Sequence, residues 1–234
     1  MSAQQNREIT KEEIKKEFQL ERMILFSDAV FAIVITLMAI EIHLPELGEH
    51  QQYTVNTFLT ALKHILPTIF AYAISFFFIG LMWYKHLKMF SLLKDYNKGL
   101  IIRNLIFLFF IGLFPFGSSL IVLKQEILLP ALIYSFIILL CMIAQLILHD
   151  YILNRSKELI IKVDIAEERA ELKRRIQVLI AMIAVAALAY TTYLIIPKEE
   201  YKNYAALWTF VFAIIAIQIN KKKSKKAPVA VAKK

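Results

Sequence analysis

Six apolar stretches, at about 24–44, 59–83, 100–123, 127–149, 176–196 and 203–220, take up most of the chain, and charge is confined to the intervals between them. A helix needs about 20 predominantly apolar residues to cross the hydrocarbon of a bilayer. Inside that hydrocarbon every backbone amide must find its partner within the protein, which leaves helices or closed barrels. Runs of this length are too long for barrel strands. They predict an all-α membrane protein with six transmembrane helices. Composition agrees, with 59% of the 234 residues hydrophobic and a mean hydropathy of +0.57, unusual for a soluble domain. The first stretch is not read as a signal peptide, because acidic residues precede it and no small-residue cleavage site follows.

The basic residues set an orientation. Arg7, Lys11, Lys15, Lys16 and Arg22 precede the first span, whereas Pro45 to Thr57 holds no Lys or Arg. Lys85, Lys88, Lys94 and Lys98 follow the second span, Lys124 alone the third, and seven basic residues from Arg155 to Arg175 the fourth. Lys198 and Lys202 lie after the fifth, and Lys221, Lys222, Lys223, Lys225, Lys226, Lys233 and Lys234 after the sixth. Rich and poor intervals alternate, which places both termini in the cytoplasm of a multi-pass cell-membrane protein. Aromatic residues mark the edges: Trp83 and Tyr84, Tyr190 and Tyr193, and Tyr201, Tyr204 and Trp208. The net charge of +9 therefore reflects topology and gives no reason to expect nucleic acid as a partner. Residues 1–220 read as a single six-helix domain, and 221–234 as a disordered basic tail attracted to anionic lipid.

Outside the bilayer little remains. "TKEEIKKEFQLER" has helical spacing, with Thr10 as N-cap and Glu13 completing a capping box, and is expected to run into the first span. "NRSKELIIKVDIAEERAELKRR" reads as an amphipathic cytoplasmic helix or helix pair, or as a solvated extension of its flanking spans. No soluble catalytic domain fits in such lengths. Motifs for serine hydrolases, zinc proteases, phosphate-binding loops and redox dithiols are missing from the sequence, so no enzyme activity is expected. Dispersed histidines (His43, His50, His64, His86, His149) and a single Cys141 give no expectation of a metal site or cofactor. The carbonyl-filter sequence T-V-G-Y-G is also missing, so a pore in this chain would have to select without a filter loop.

Ionisable residues at membrane depth are functional candidates. Asp28, His86 and Arg103 fall near the cytoplasmic ends of the first, second and third spans, with Ser27 and Asn104 at the same level and Trp83 about one turn deeper. One physical account is a polar cluster in which each member satisfies another. The other is that Asp28 is a helix cap or an interfacial acid. On the first span, Ala29, Ile33, Thr36, Leu37, Ile40 and Leu44 form a stripe, while Asp28 and Ser27 lie about 140° and 120° away from Ile33 on opposite sides. The pair therefore points back into a bundle. The stripe itself is lipid-facing, ordinary packing or the lining of a symmetry axis. Thr36 decides little, since a mid-membrane Thr often bonds its own preceding carbonyl.

These residues resemble a known family. Arg22-x-x-x-Phe26-Ser27-Asp28 followed by "AVFAIVITLMAIEI" is similar to the (R/K)-x-x-x-F-S-D signature of the lysosomal-type potassium channel family, in its single-repeat bacterial branch. Trp83-x-x-His86 and "RNLIFLFFIGLFPF", with Asn104 and Pro115, match that family's second and third spans in order. The resemblance implies a homotetramer of six-span subunits that conducts cations, with potassium weakly preferred over sodium. It implies that the first helix of each subunit lines the pore. On these positions Ile33 is the narrow hydrophobic ring, Thr36 a ring of hydroxyls one turn outward, and Ile40 and Leu37 further lining residues. Arg22, Phe26, Ser27, Asp28, Trp83, His86 and Asn104 become the cluster that clamps the pore helix. Phe26 fits less simply, because the wheel puts it near the stripe. Glu41, near the outer end, either concentrates cations or pairs with a neighbouring helix. The permeant potassium ion is the only ligand implied.

The alternative is a secondary transporter using the same polar cluster. Pro115 breaks the third span as such proteins require, but the chain holds no second F-S-D copy to suggest an inverted repeat. A membrane-embedded enzyme built on Asp28 and His86, and a scaffold without transport, are further rivals.

Overall fold

The structure is a computed structural model and describes residues 3–40, 42–43, 54–122, 128–161 and 165–195. It divides into two compact units, Met1–Val163 and Asp164–Lys234. The described residues form α-helices joined by short turns, with one isolated antiparallel bridge between Leu93 and Ile160.

Among the described residues the first unit holds five α-helices. α1 runs unbroken over Ala3–Ile40, so the charged segment does continue into the first span. Thr10 is not its N-cap. The sequence from Gln4 to Ile9 is rich in good helix formers, and the helix begins at Ala3, which leaves Thr10 in its interior. α2 (Val55–Phe90) opens on a reciprocal capping box between Thr54 and Thr57. α3 (Lys98–Gly112) is capped by Asn97, whose Oδ1 accepts from the Leu100 amide at 2.8 Å. α4 (Phe114–Val122) continues the third span after a one-residue break at Leu113. The break has a local cause: Pro115 has no N–H to give to the Ile111 carbonyl four residues back, and its ring crowds that carbonyl. α5 (Leu128–Asp150) passes into a π-helical turn, Tyr151–Arg155, and then a short 3₁₀ turn, Lys157–Leu159.

α1 packs against α2, α3 and α4, and α5 against α3 and α4. The core between them is lined by Phe31, Val34, Met38, Ile79, Phe107, Ile111, Phe114 and Leu148. At the end of the unit that carries the charged turns, Lys94 N–H donates to the Leu159 carbonyl at 2.8 Å and Ile161 N–H to the Leu92 carbonyl at 2.9 Å. This backbone clasp ties the α2–α3 turn to the segment after α5. Lys16 Nζ lies 3.3 Å from Asp95 Oδ2, adding α1 to the same region.

The second unit holds α6 (Ala166–Ile195). The stretch expected to be an amphipathic cytoplasmic helix is therefore divided. Residues 154–161 form the turns and the clasp, and Ala166–Arg175 is the charged opening of α6, where Arg175 pairs with Glu171 at 2.8 Å. Five stretches among the described residues are long and apolar enough to cross a membrane: Glu13–Ile40, Thr68–Phe90, Lys98–Leu120, Leu132–Arg155 and Ala166–Thr192. They correspond to the first five expected spans. Glu41, the expected sixth span at 203–220 and the basic tail at 221–234 lie outside the described residues.

Candidate functional site

Where α1, α2 and α3 meet, three polar side chains are withdrawn from solvent: Ser27 at 0% exposure, His86 at 0% and Asn104 at 1%. Each comes from a different helix, and together they form one hydrogen-bonded chain. His86 Nε2 lies 2.9 Å from Asn104 Oδ1, with the ring nitrogen as donor and the amide oxygen as acceptor. Asn104 Nδ2 donates to Ser27 Oγ at 2.9 Å, and Ser27 Oγ passes its own hydrogen to the Met23 carbonyl at 2.9 Å. In a low-dielectric interior this directional chain ties three helices at one depth, since an unmet donor there is costly.

A second bond stands beside it. Trp83 Nε1 donates to Asp28 Oδ1 at 2.8 Å. It is half-open to the surroundings, with Trp83 39% exposed. Trp83 and His86 are three residues apart on α2, and Ser27 and Asp28 are adjacent on α1. The two bonds are thus neighbouring rungs between the same two helices.

The expected cluster is assembled in part. Ser27, Asp28, Trp83, His86 and Asn104 come together. Phe26 is 52% exposed and points away from the bundle. Arg22 is also exposed, with its guanidinium 5.9 Å from the Phe18 ring. Arg103, considered as a member of the cluster, is not one. Its side chain faces 100° away from Asn104 on α3, lies 3.9 Å over the Tyr151 ring and donates to the Gly99 carbonyl at 3.0 Å. Tyr151 in turn donates to Asn97 Oδ1 at 3.1 Å, so Arg103 belongs to the capping region of α3.

Sequence reasoning missed the aromatic housing of His86. Phe90 stacks on the imidazole at 4.0 Å between centroids, Phe31 lies at 5.8 Å and Phe107 at 5.9 Å. It also missed Gln145, 3% exposed on α5, whose Nε2 donates to the Met82 carbonyl of α2 at 2.9 Å. A lone amide in an apolar helix was a readable signal for such a bond. The aromatic cage was not, because Phe in an apolar run carries no mark. Higher along α2 and α5 the hydroxyls of Ser75 and Tyr134 bond to each other.

The expected stripe occupies the opposite side of α1. Ile33 is 55% exposed, Leu37 46% and Ile40 71%, and Ala29 and Thr36 are exposed with them. Thr36 Oγ1 lies 2.8 Å from the Ile33 carbonyl and 3.1 Å from that of Ala32. Its one hydrogen is spent on its own helix, which leaves the oxygen lone pairs directed outward. Among the described residues no group of three or more His, Cys, Asp or Glu is placed to hold a metal ion.

Residues 22–115, the segment that carries the polar chain and the stripe, match the family described as "Endosomal/lysosomal potassium channel TMEM175". A potassium channel of Chryseobacterium sp. (strain P1-3) is 31% identical over 137 residues, which are 58% of this chain and 67% of that relative. The chain belongs to the TMEM175 family. A second relative, a potassium channel of Streptomyces collinus (strain DSM 40733 / Tue 365), is 32% identical over 100 residues, so the chain matches only 46% of its length. The fold extends further than the sequence likeness. The crystal structure of a lysosomal potassium-selective channel TMEM175 homolog from Chamaesiphon minutus superposes with a TM-score of 0.64. It covers 87% of this chain and 97% of that one at 23% identity.

Proposed function

We propose that this protein is a channel for monovalent cations that favours potassium weakly over sodium, with its pore lined by α1 from four copies of the subunit. The observation that carries the reading is the two-sidedness of α1. Ser27, Phe31, Val34 and Met38 are buried against the subunit's own helices, while Ile33, Thr36, Leu37 and Ile40 remain exposed on the far side. Membership of the TMEM175 family, and a relative named as a potassium channel, support giving that free side to the pore.

In this reading Ile33 from each copy forms the aliphatic constriction, where dewetting opposes permeation. Thr36 stands one turn outward, about 4.5 Å along the axis, and presents its lone pairs to an ion that has shed part of its hydration. Potassium sheds water more cheaply than sodium, so partial dehydration favours it, though less sharply than a cage of carbonyls. Ile40 and Leu37 line the outer approach. The chain from His86 through Asn104 to Ser27, together with the Trp83–Asp28 bond, clamps α1 near its cytoplasmic end, and movement of α1 about this anchor opens the constriction. Both termini face the cytoplasm.

The test is a reversal potential in planar bilayers with potassium on one side and sodium on the other. The parent is expected to reverse toward the potassium equilibrium potential, and Thr36→Ala to reverse closer to zero. A parent without cation current, or a reversal that ignores Thr36→Ala, contradicts the proposal.

A further inference from the structure

The exposed side of α1 does not end at the constriction. Counted from Ile33 at about 100° per residue, Lys15 is in line, Phe26 lies about 20° to one side, and Arg22 and Lys11 lie about 20° and 40° to the other. Because α1 is unbroken, these positions continue the stripe of Ile33, Leu37 and Ile40 toward the N-terminus. Phe26 is 52% exposed, and Lys11, Lys15 and Arg22 are exposed as well. Along the helix Arg22 stands about 16 Å from Ile33, and Lys15 about 27 Å.

The other charges of this segment lie elsewhere. Lys16, about 100° from Ile33, reaches Asp95 at 3.3 Å. Leu20, 6% exposed, is about 140° away and marks the side turned to the subunit's own helices. Glu13 and Glu17 are about 160° from Ile33 and Glu21 about 120°. By register the nearest acids, Glu8 and Glu12, fall at the outer end beside Lys11. Among the described residues Lys11, Lys15 and Arg22 have no ion pair. The Arg22 guanidinium has only the Phe18 ring, 5.9 Å away.

A closed rotational assembly repeats each residue at one level around its axis. With Ile33 on that axis, Arg22 and Lys15 become rings of positive charge on the approach to the constriction. Such rings repel themselves, and they oppose the entry of cations. A counterion relieves both. Guanidinium and ammonium groups presented from several sides suit the oxygens of a phosphate chain. The approach is wet and enclosed by the four copies, so a dissolved anion reaches it and a lipid headgroup does not.

We propose that Arg22 and Lys15 from the four copies form a binding site for a soluble multivalent phosphate, of the nucleoside triphosphate or polyphosphate class, on the pore axis at its cytoplasmic mouth. This rests on the four-copy channel reading above. The bound anion offsets the charge that potassium meets before Ile33, so occupancy tunes conduction from the cytoplasmic side.

The test is isothermal titration calorimetry of the full chain in phosphatidylcholine nanodiscs, with inorganic tripolyphosphate as the probe and native mass spectrometry of the same preparation. One anion per four chains is expected, with an affinity that falls as salt rises. Lys15→Gln with Arg22→Gln should weaken binding about tenfold or more. Lys15→Arg with Arg22→Lys keeps the charge and should bind as the parent does. So should Lys94→Gln with Lys98→Gln, at exposed basic positions off the stripe. If the neutralised double variant loses its four-copy mass, Lys15→Gln alone is read, with an expected loss of about threefold or more. Four copies without binding, binding indifferent to the neutralisation, one anion per chain, or binding of a soluble short-chain phosphatidylglycerol in place of tripolyphosphate overturns the proposal and leaves the channel reading standing. A single-copy mass removes both.

Discussion

Asn104→Leu tests the polar chain most sharply, because Leu keeps the volume and removes both bonds. The amide now accepts from His86 Nε2 and donates to Ser27 Oγ, each at 2.9 Å. Ser27 loses little, since its own hydrogen stays on the Met23 carbonyl. His86 loses its acceptor while 0% exposed, and its Nδ1 has no partner among the described residues. Interhelical hydrogen bonds in membranes average about 0.6 kcal/mol each, and a buried donor left unmet costs about 1–3 kcal/mol. The sum is about 2–4 kcal/mol per subunit, dominated by the stranded imidazole rather than by the bonds lost. The assay is reversible unfolding in mixed detergent micelles, followed by circular dichroism. The double variant His86→Phe with Asn104→Leu should recover most of the loss, because an apolar ring then replaces the imidazole among Phe31, Phe90 and Phe107. The reasoning is refuted if Asn104→Leu is within about 0.5 kcal/mol of the parent, or if the double variant is no more stable than Asn104→Leu alone.

Two further substitutions probe packing and polarity in the same micelle assay. Gly117→Ala would place its Cβ 2.6 Å from Tyr134 Cδ2 and 2.9 Å from Ile137 Cδ1, forcing α4 and α5 apart at a cost of about 1–3 kcal/mol; Gly80→Ala, with open space around it, serves as the control and should be no less stable than the parent. Gln145→Leu removes the donor to the Met82 carbonyl but strands nothing with a hydrogen to place, so its cost should stay near 0.6 kcal/mol, roughly, and well below that of Asn104→Leu.

Particular residues show how far the sequence was legible. The apolar runs placed five described helices, because hydrocarbon thickness sets their length whatever the tertiary detail. The first-span wheel put Ser27 on a different side of the helix from Ile33, Thr36 and Ile40, because a continuous helix keeps its phase, but it left open what that stripe faces. Asp28 and Asn104 were recognisable as polar groups at membrane depth that need partners. Which group met which was not. Arg103 had the charge to pair with Asp28, yet one residue's rotation on α3 sent it to Tyr151, and the indole of Trp83 took its place. Thr10 misled because a capping pattern only marks a start when the residues before it resist the helix. The bridge between Leu93 and Ile160 joins segments far apart in the chain, each without strand character of its own, and no local pattern could announce it.

The claim at the centre of the account is that the exposed stripe of α1 is the pore. It is tested most directly by single-channel conductance in potassium for Ile33→Ser, with Phe109→Ser as control, Phe109 being 62% exposed on α3. If Ile33 is the constriction, a hydroxyl there lowers the dewetting barrier, and Ile33→Ser should conduct more than the parent while Phe109→Ser does not. An unchanged conductance in Ile33→Ser would contradict the account and return the stripe to ordinary packing.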